Sequence, residues 1–376
     1  MADLYGLLVR MSLGDENAPA LATRHAIAAL SYQHLEEQDT AFAHHTQALS
    51  ALQVAIGCIG SGNMQRAFQT MAASMLLNLF ETLNSEGSSL NWAIFFCGCK
   101  RIINMVHKPH RTYEGDPALI LDWIFYHDTL YKFSIRHWDQ REHEQIALAA
   151  QEKIVSKAIF SPMRQIILPT TGCSLELLDL VCQIVDLVHD RDDPRHLSPS
   201  HLSAIRALEL RLDGLTQTPR VAAASPPSHA NTAIEIDMAR YTDGTTNACH
   251  ELCYIAELYR LAAYIYLLRM AQGLPRGDAK VVPLVDRALL LMRRMGVCGC
   301  AWPMFIIALE ARGEEERRFV AEVLAASLVK RPQGNVRGVK RMIFEAWVQQ
   351  DLGGEGDLLG VYNKVVSGNR VPPSFA

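Results

Sequence analysis

The densest group of side chains that could do chemistry lies in the stretch WIFYHDTLYKFSIRHW. Trp123, His127 and Tyr131 are spaced i, i+4, i+8, so on a helix they share one face, with Asp128 beside them. His137 lies near the end of the same stretch. Together these side chains could form the wall of a ligand cavity, in which the polar groups could polarise a carbonyl. We take all five as the candidate site.

The same spacing is also typical of a helix whose aromatic stripe packs into the protein core. His127 is then a core histidine with a hydrogen bond to a neighbour. Asp128 and Lys132, at i and i+4, then form a surface ion pair worth about 0.3–0.5 kcal/mol. We favour this interpretation, because an aromatic stripe at helical spacing is usually core.

The cysteine and histidine spacings do not fit a metal site. Cys249 and Cys253 would share a helix face, but His250 points about 100° away from it. Cys298 and Cys300 lie in a turn with no second pair nearby, whereas structural zinc prefers two spaced pairs of ligands. The His-Glu pairs lack the second histidine of a zincin motif. The sequence therefore predicts no metal site, and it indicates no cofactor.

Composition excludes several classes of function. The chain has 376 residues, of which 49% are hydrophobic, and a net charge of −4 from 36 basic and 40 acidic side chains. This balance argues against a large nucleic-acid footprint, which needs clustered Lys and Arg. No apolar run reaches the roughly 18–20 residues of a membrane span, so no membrane partner is expected. Nine cysteines, an odd number, indicate reduced thiols in an intracellular protein, located in the nucleus or cytoplasm.

Helical periodicity dominates the chain, and convincing strands of alternating pattern are absent. Helix starts are predicted at Asp116-Pro117, at Ser174 and at Ser198-Pro199. A helix at about 247–270 is apolar nearly all round and is therefore expected at the centre. We predict an all-α fold, a layered array of antiparallel helical hairpins around an apolar core. It forms a single domain over 1–376, with flexible loops at about 139–172 and 220–233.

Six motifs, in order along the chain, resemble the fungal-specific transcription factor domain, the regulatory region found behind Zn2Cys6 DNA-binding clusters. The resemblance covers about residues 4–351, and it implies fold more firmly than activity. It implies that Trp302-Pro303 begins a structural helix leading to Glu310-Ala311. The motifs are AIAALSYQHL with AFAHHTQALSALQVAIG, MAASMLLNLFETLN, NWAIFFCGCKRIINM, LDWIFYHDTLYKFS, WPMFIIALEARGEEERRFV and MIFEAWVQQD.

The chain departs from the family in one respect, because it carries no repeated Cys-x2-Cys-x6-Cys spacing and no basic arm. That cluster holds two zinc ions and presents a helix to DNA. Direct DNA binding by this chain is therefore not expected. Either the chain is a natural homologue without the cluster, which its Met1 favours, or it is an excised regulatory domain.

Three functions follow as hypotheses. The favoured one is a regulatory domain that senses a small apolar metabolite or a partner and controls transcription, including that of a secondary-metabolite pathway. A protein partner or a second copy of the chain would connect it to DNA. The alternative is a repurposed, cofactor-free enzyme such as a cyclase, pericyclase or isomerase, which catalyses by shaping its substrate and leaves no sequence motif. The third is a plain interaction scaffold.

Overall fold

The computed structural model of the protein describes most of the chain. The described residues are 4–58, 64–84, 91–106, 113–138, 164–219, 244–330, 333–353 and 357–376. The predicted loop at 220–233 lies outside them, as do residues 139–163 of the other predicted loop.

Helices account for almost all regular structure in the described ranges, which confirms the all-α prediction. They are α1 (Leu4–Leu13), α2 (Ala18–His34), α3 (Gln38–Gly57), α4 (Met64–Asn84), α5 (Asn91–Val106), α6 (Asp116–His137), α7 (Leu175–Leu187), α8 (Pro199–Asp213), α9 (Gly244–Tyr266), α10 (Val281–Met295), α11 (Ala301–Leu309), α12 (Gly313–Lys330), α13 (Gly334–Gly353) and α14 (Leu358–Ser367).

Two very short strands pair beside α7. β1 (Ile166–Ile167) lies parallel to β2 (Thr218–Pro219), and each contributes only two residues. Pro219 cannot donate a ladder hydrogen bond, which is consistent with so short a pairing. The two strands lie just before and just after the hairpin of α7 and α8 in the chain, and they do not form a layer of the fold.

The predicted helix starts are confirmed in two cases and shifted in the third. Ser174 and Ser198 cap α7 and α8, with their side chains accepting from the backbone N–H three residues ahead. Asp116 is not the cap of α6, because it is already the first helical residue and Gly115 precedes it with φ of 65°. The Asp116 carboxylate instead binds the guanidinium of Arg10, at 3.0 Å.

Consecutive helices pack as hairpins around two connected cores. α2 packs on α3 and α4, and α4 packs on α5, in the N-terminal core formed by α1–α6. α9 packs on α10 and α11, and α11 on α13, in the C-terminal core formed by α6–α14. Only α6 supplies several side chains to both cores among the described helices, with Ile124 on one side and Phe133 on the other. A helix that contacts a core on both sides must bury more than one face, and most residues of α6 are buried.

The Trp-Pro stretch is structural. All nine residues of α11 are buried, and Pro303 lies in the first turn, where its missing N–H removes no helical hydrogen bond. Trp302 stacks on Tyr259 of α9, and Ala308 O accepts the indole N–H of Trp347 from α13 at 2.8 Å. α11 thus lies between two other helices as an entirely buried element.

Candidate ligand-binding site

The predicted site residues all lie on α6, but they face different neighbours. Trp123 and Tyr131 belong to the N-terminal core, whereas His137 contacts side chains of the C-terminal core. Trp123, His127, Tyr131 and His137 are all buried. Whether any of them contacts a ligand stays a prediction.

Asp128 and Lys132 do not pair with each other as the helical spacing predicts. Asp128 lies 2.8 Å from Nζ of the buried Lys100, on α5. Lys132 instead donates to Asp186 and to Cys182 on α7. Burial raises the pKa of Asp128, and the Lys100 ammonium opposes that shift. Each side chain therefore connects α6 to a different neighbouring helix.

His127 is enclosed by aromatic rings. Its imidazole makes edge contacts with Trp123 and Tyr126, with ring centroids 6.1 and 5.4 Å away. Burial lowers the pKa of His127 to about 3. The ring is therefore neutral near pH 7 and acts as a core side chain, as the favoured interpretation holds.

His137 connects three helices through its two ring nitrogens. Nε2 lies 2.7 Å from the hydroxyl of Tyr266 on α9, and Nδ1 lies 2.8 Å from Oδ1 of Asn363 on α14. Asn363 Oδ1 can only accept, so His137 Nδ1 carries the proton and Nε2 accepts from the tyrosine hydroxyl. Burial lowers the pKa of His137 to about 3. This fixed, neutral tautomer locks α6 against the C-terminal core.

A cavity of about 380 Å³ lies at the amino end of α6, where this helix meets α1 and α4. That volume is within the range of about 300–1,000 Å³ that is typical of small-molecule sites. We call it the N-terminal cavity. It is lined by Leu7, Arg10, Met11, Gly14, Met64, Gln65, Phe68, Gln69, Tyr113, Asp116 and Pro117.

The walls of the N-terminal cavity are mainly apolar. Leu7, Phe68 and Tyr113 are buried, and Met11 and Met64 are partly buried beside them. Methionine side chains adapt their shape readily, so this part of the wall is deformable. This part of the cavity fits an apolar molecule.

Polar groups are confined to a few positions on the cavity wall. Arg10 and Asp116 form an ion pair between α1 and α6, and both side chains are about half exposed. Gln69 donates from Nε2 to the carbonyl oxygen of Met11 at 3.2 Å, so its amide is held in place. A few fixed polar groups in an apolar cavity orient a ligand and provide specificity.

No local sequence pattern marks this cavity, and sequence reasoning missed it. Arg10 and Asp116 are 106 residues apart, and the other walls come from α1 and α4. None of the five predicted site residues is among the lining residues. The five predicted site residues and the cavity have only the helix α6 in common, because its first turn supplies Asp116 and Pro117 to the cavity wall.

The described residues contain neither a metal-binding group nor a membrane span. In them, no three His, Cys, Asp or Glu side chains are grouped so that they could hold a metal ion. No helix in the same ranges is both long enough and apolar enough to cross a membrane.

Known proteins place the chain in a family. Residues 4–368 match the model of the fungal specific transcription factor domain. The chain is also similar to a protein named transcription factor iacI from Pestalotiopsis fici, at 24% identity over 93% of this chain and 82% of that protein. No solved structure matches the chain. The chain therefore belongs to the fungal-specific transcription factor domain family, and this membership supports a regulatory role in transcription.

Proposed function

We propose that the chain regulates transcription by binding a small, largely apolar metabolite in the N-terminal cavity. The observation that carries the proposal is the cavity itself, with its apolar walls and the Arg10–Asp116 ion pair between α1 and α6. Family membership supports the regulatory part of the proposal.

The position of the cavity supports a route from the ligand to the rest of the molecule. A ligand changes a conformational equilibrium only if it binds one arrangement better than another. In the N-terminal cavity it would contact both α1 and the first turn of α6. Because α6 also packs in the C-terminal core, a small rotation of α6 would reach both halves of the fold.

The proposal extends to cellular context. The chain acts in the nucleus, on genes of a secondary-metabolite pathway, and reaches DNA through a protein partner or as a homodimer. The Pestalotiopsis fici relative is named as a transcription factor, which supports transcription as the process, and the sequence of this chain carries no basic DNA-contacting motif.

The test is a deletion strain complemented with two variants of equal added bulk. Met64→Trp places an indole in the wall of the N-terminal cavity, whereas Leu13→Trp places one on the exposed face of α1. Transcripts are measured genome-wide in each strain, and metabolites are measured by untargeted profiling. Protein abundance is the check on folding. We expect deletion to abolish transcripts across a pathway, Leu13→Trp to restore their regulation, and Met64→Trp to leave them fixed at one level.

Other outcomes would replace this proposal. Intact transcripts with an accumulated intermediate would overturn it in favour of the alternative, a cofactor-free cyclase, pericyclase or isomerase. Full rescue by both variants would remove the N-terminal cavity from the mechanism.

A further inference from the structure

A second cavity, of about 210 Å³, is lined by three arginines. Its walls come from the turn that follows α9, from α12, from the last turns of α13 and from the first turn of α14, far along the chain from the N-terminal cavity. We call it the arginine cavity. Its lining residues are Arg269, Arg276, Arg317, Gln350, Asp351, Asp357, Leu358 and Val361.

A π-helical turn contributes the first arginine. Leu267–Ala271 continues α9 as a π-helix, in which hydrogen bonds join residues five positions apart. One of them runs from Gln272 N to Leu267 O, at 3.1 Å. π-Helical turns are rare in proteins as a whole, and those that occur are often at functional sites. Here the turn carries Arg269, whose Nε lies 2.9 Å from both carboxylate oxygens of Glu310. The acid that ends the Trp-Pro motif thereby holds one side of the arginine cavity.

The buried charges of the arginine cavity do not balance. The side chains of Arg269, Arg276 and Arg317 are only 7, 12 and 20% exposed, and Glu310 is fully buried. Asp351, the partner of Arg317, is 61% exposed, so water screens most of its charge. Three enclosed guanidinium groups therefore face one enclosed carboxylate. The other two carboxylates of the wall, Asp351 and Asp357, are exposed to water, so an anion that reaches the enclosed guanidinium groups would be attracted.

Two guanidinium donors in this group also lack acceptors. Nε of Arg276 is buried without a hydrogen bond, and the nearest Glu310 oxygen is 3.7 Å away. Nε of Arg317 is likewise buried without a hydrogen bond. Buried donors without acceptors are rare in native proteins because each costs free energy. A bound oxyanion would supply acceptors, and guanidinium groups match carboxylate and phosphate geometry.

From these observations we propose that the arginine cavity is a binding site for the oxyanion group of a small molecule, a carboxylate or a phosphate. Leu358 and Val361 supply an apolar surface for the remainder of the ligand. This site is distinct from the N-terminal cavity and does not depend on the function proposed above.

The experiment titrates the full chain with inorganic phosphate and, separately, with benzoate, at constant ionic strength set with chloride. Binding is followed by calorimetry. We expect saturable binding that Arg317→Gln weakens about tenfold, since a charge-assisted hydrogen bond is lost. We expect Asp351→Asn to tighten binding about threefold, because it removes the carboxylate that competes for Arg317.

Arg293→Gln is the matched control, because it removes the same charge from α10 at an exposed position outside the cavity. Circular dichroism checks the fold of each variant. If Arg10→Gln abolishes benzoate binding, benzoate binds in the N-terminal cavity, and that result counts against the arginine cavity as the benzoate site. The proposal fails if neither probe binds saturably, or if Arg317→Gln and Arg293→Gln have equal effects. It also fails if Asp351→Asn weakens binding.

Discussion

His127 shows how one residue type can be read in two ways from sequence. Its i, i+4 spacing from Trp123 and Tyr131 fits a ligand wall and a core stripe equally well. In the structure its ring lies against Trp123 and Tyr126 and is 5% exposed. A histidine so enclosed is held neutral, because burial disfavours the charged imidazolium.

This burial predicts a pH dependence that belongs to His127. The pKa of histidine is near 6.5 in an unfolded chain and about 3 for His127 in the fold. As the pH falls below 6.5, the unfolded chain gains a proton that the native state does not, so stability is lost. His127→Phe removes this contribution. Its stability relative to the wild type should rise by about 1 kcal/mol between pH 6.5 and 5.5.

Urea unfolding at the two pH values measures that difference. Burial raises the pKa of Asp122 to about 7, so protonation of Asp122 stabilises the fold as the pH falls. This contribution is the same in both proteins and cancels in the comparison. Identical pH profiles for the two proteins would contradict a buried, neutral His127.

At the scale of elements, tight turns decide how helices meet. Gly172 lies in the turn before α7, where its N–H donates to Leu168 O at 2.8 Å. Its φ is 73°, and a Cβ at this position would lie 2.5 Å from Cγ2 of Ile255 on α9. The turn therefore packs α7 closely against α9 only because residue 172 has no side chain.

Gly172→Ala should destabilise the fold by about 2–4 kcal/mol, from backbone strain together with overpacking. Gly273→Ala is the control, because Gly273 has nearly the same φ, 74°, and a Cβ added there would have no atom within 4 Å. It should cost only about 1 kcal/mol. Thermal unfolding of both variants measures the difference, and equal losses would show that Ile255 yields without cost.

At the scale of the whole molecule, two cores share one helix. α6 contributes to both, and α4 also contacts α13. Under the proposed function, this arrangement is what would carry the effect of a ligand in the N-terminal cavity to the packing of the C-terminal core. The side chains of α6 also have partners on several different helices: Asp128 on α5, Lys132 on α7 and His137 on α9 and α14.

The electrostatics of the whole chain predict its behaviour towards DNA. With a net charge of −4 and no Cys-x2-Cys-x6-Cys spacing, the chain alone should form no sequence-specific complex. An electrophoretic mobility shift with a promoter library in roughly physiological salt tests this expectation. A specific complex with a dissociation constant of about 10 nM would overturn it.

Sequence alone determined the helices, their caps at Ser174 and Ser198, and the family to which the chain belongs. The helices and their caps are local features, because they depend on residues three or four positions apart, whereas the family was indicated by the order of six motifs along the chain. The buried Trp-Pro helix was expected from the resemblance to the family, and the structure has it as α11.

The tertiary structure alone decided where the two cavities lie and which side chains line them. Arg10 meets Asp116, and Arg269 meets Glu310, across large separations in sequence that no local spacing encodes. Even the i, i+4 pair Asp128 and Lys132 took partners on other helices. Ion pairs at helical spacing are weak, so partners on neighbouring helices can replace them.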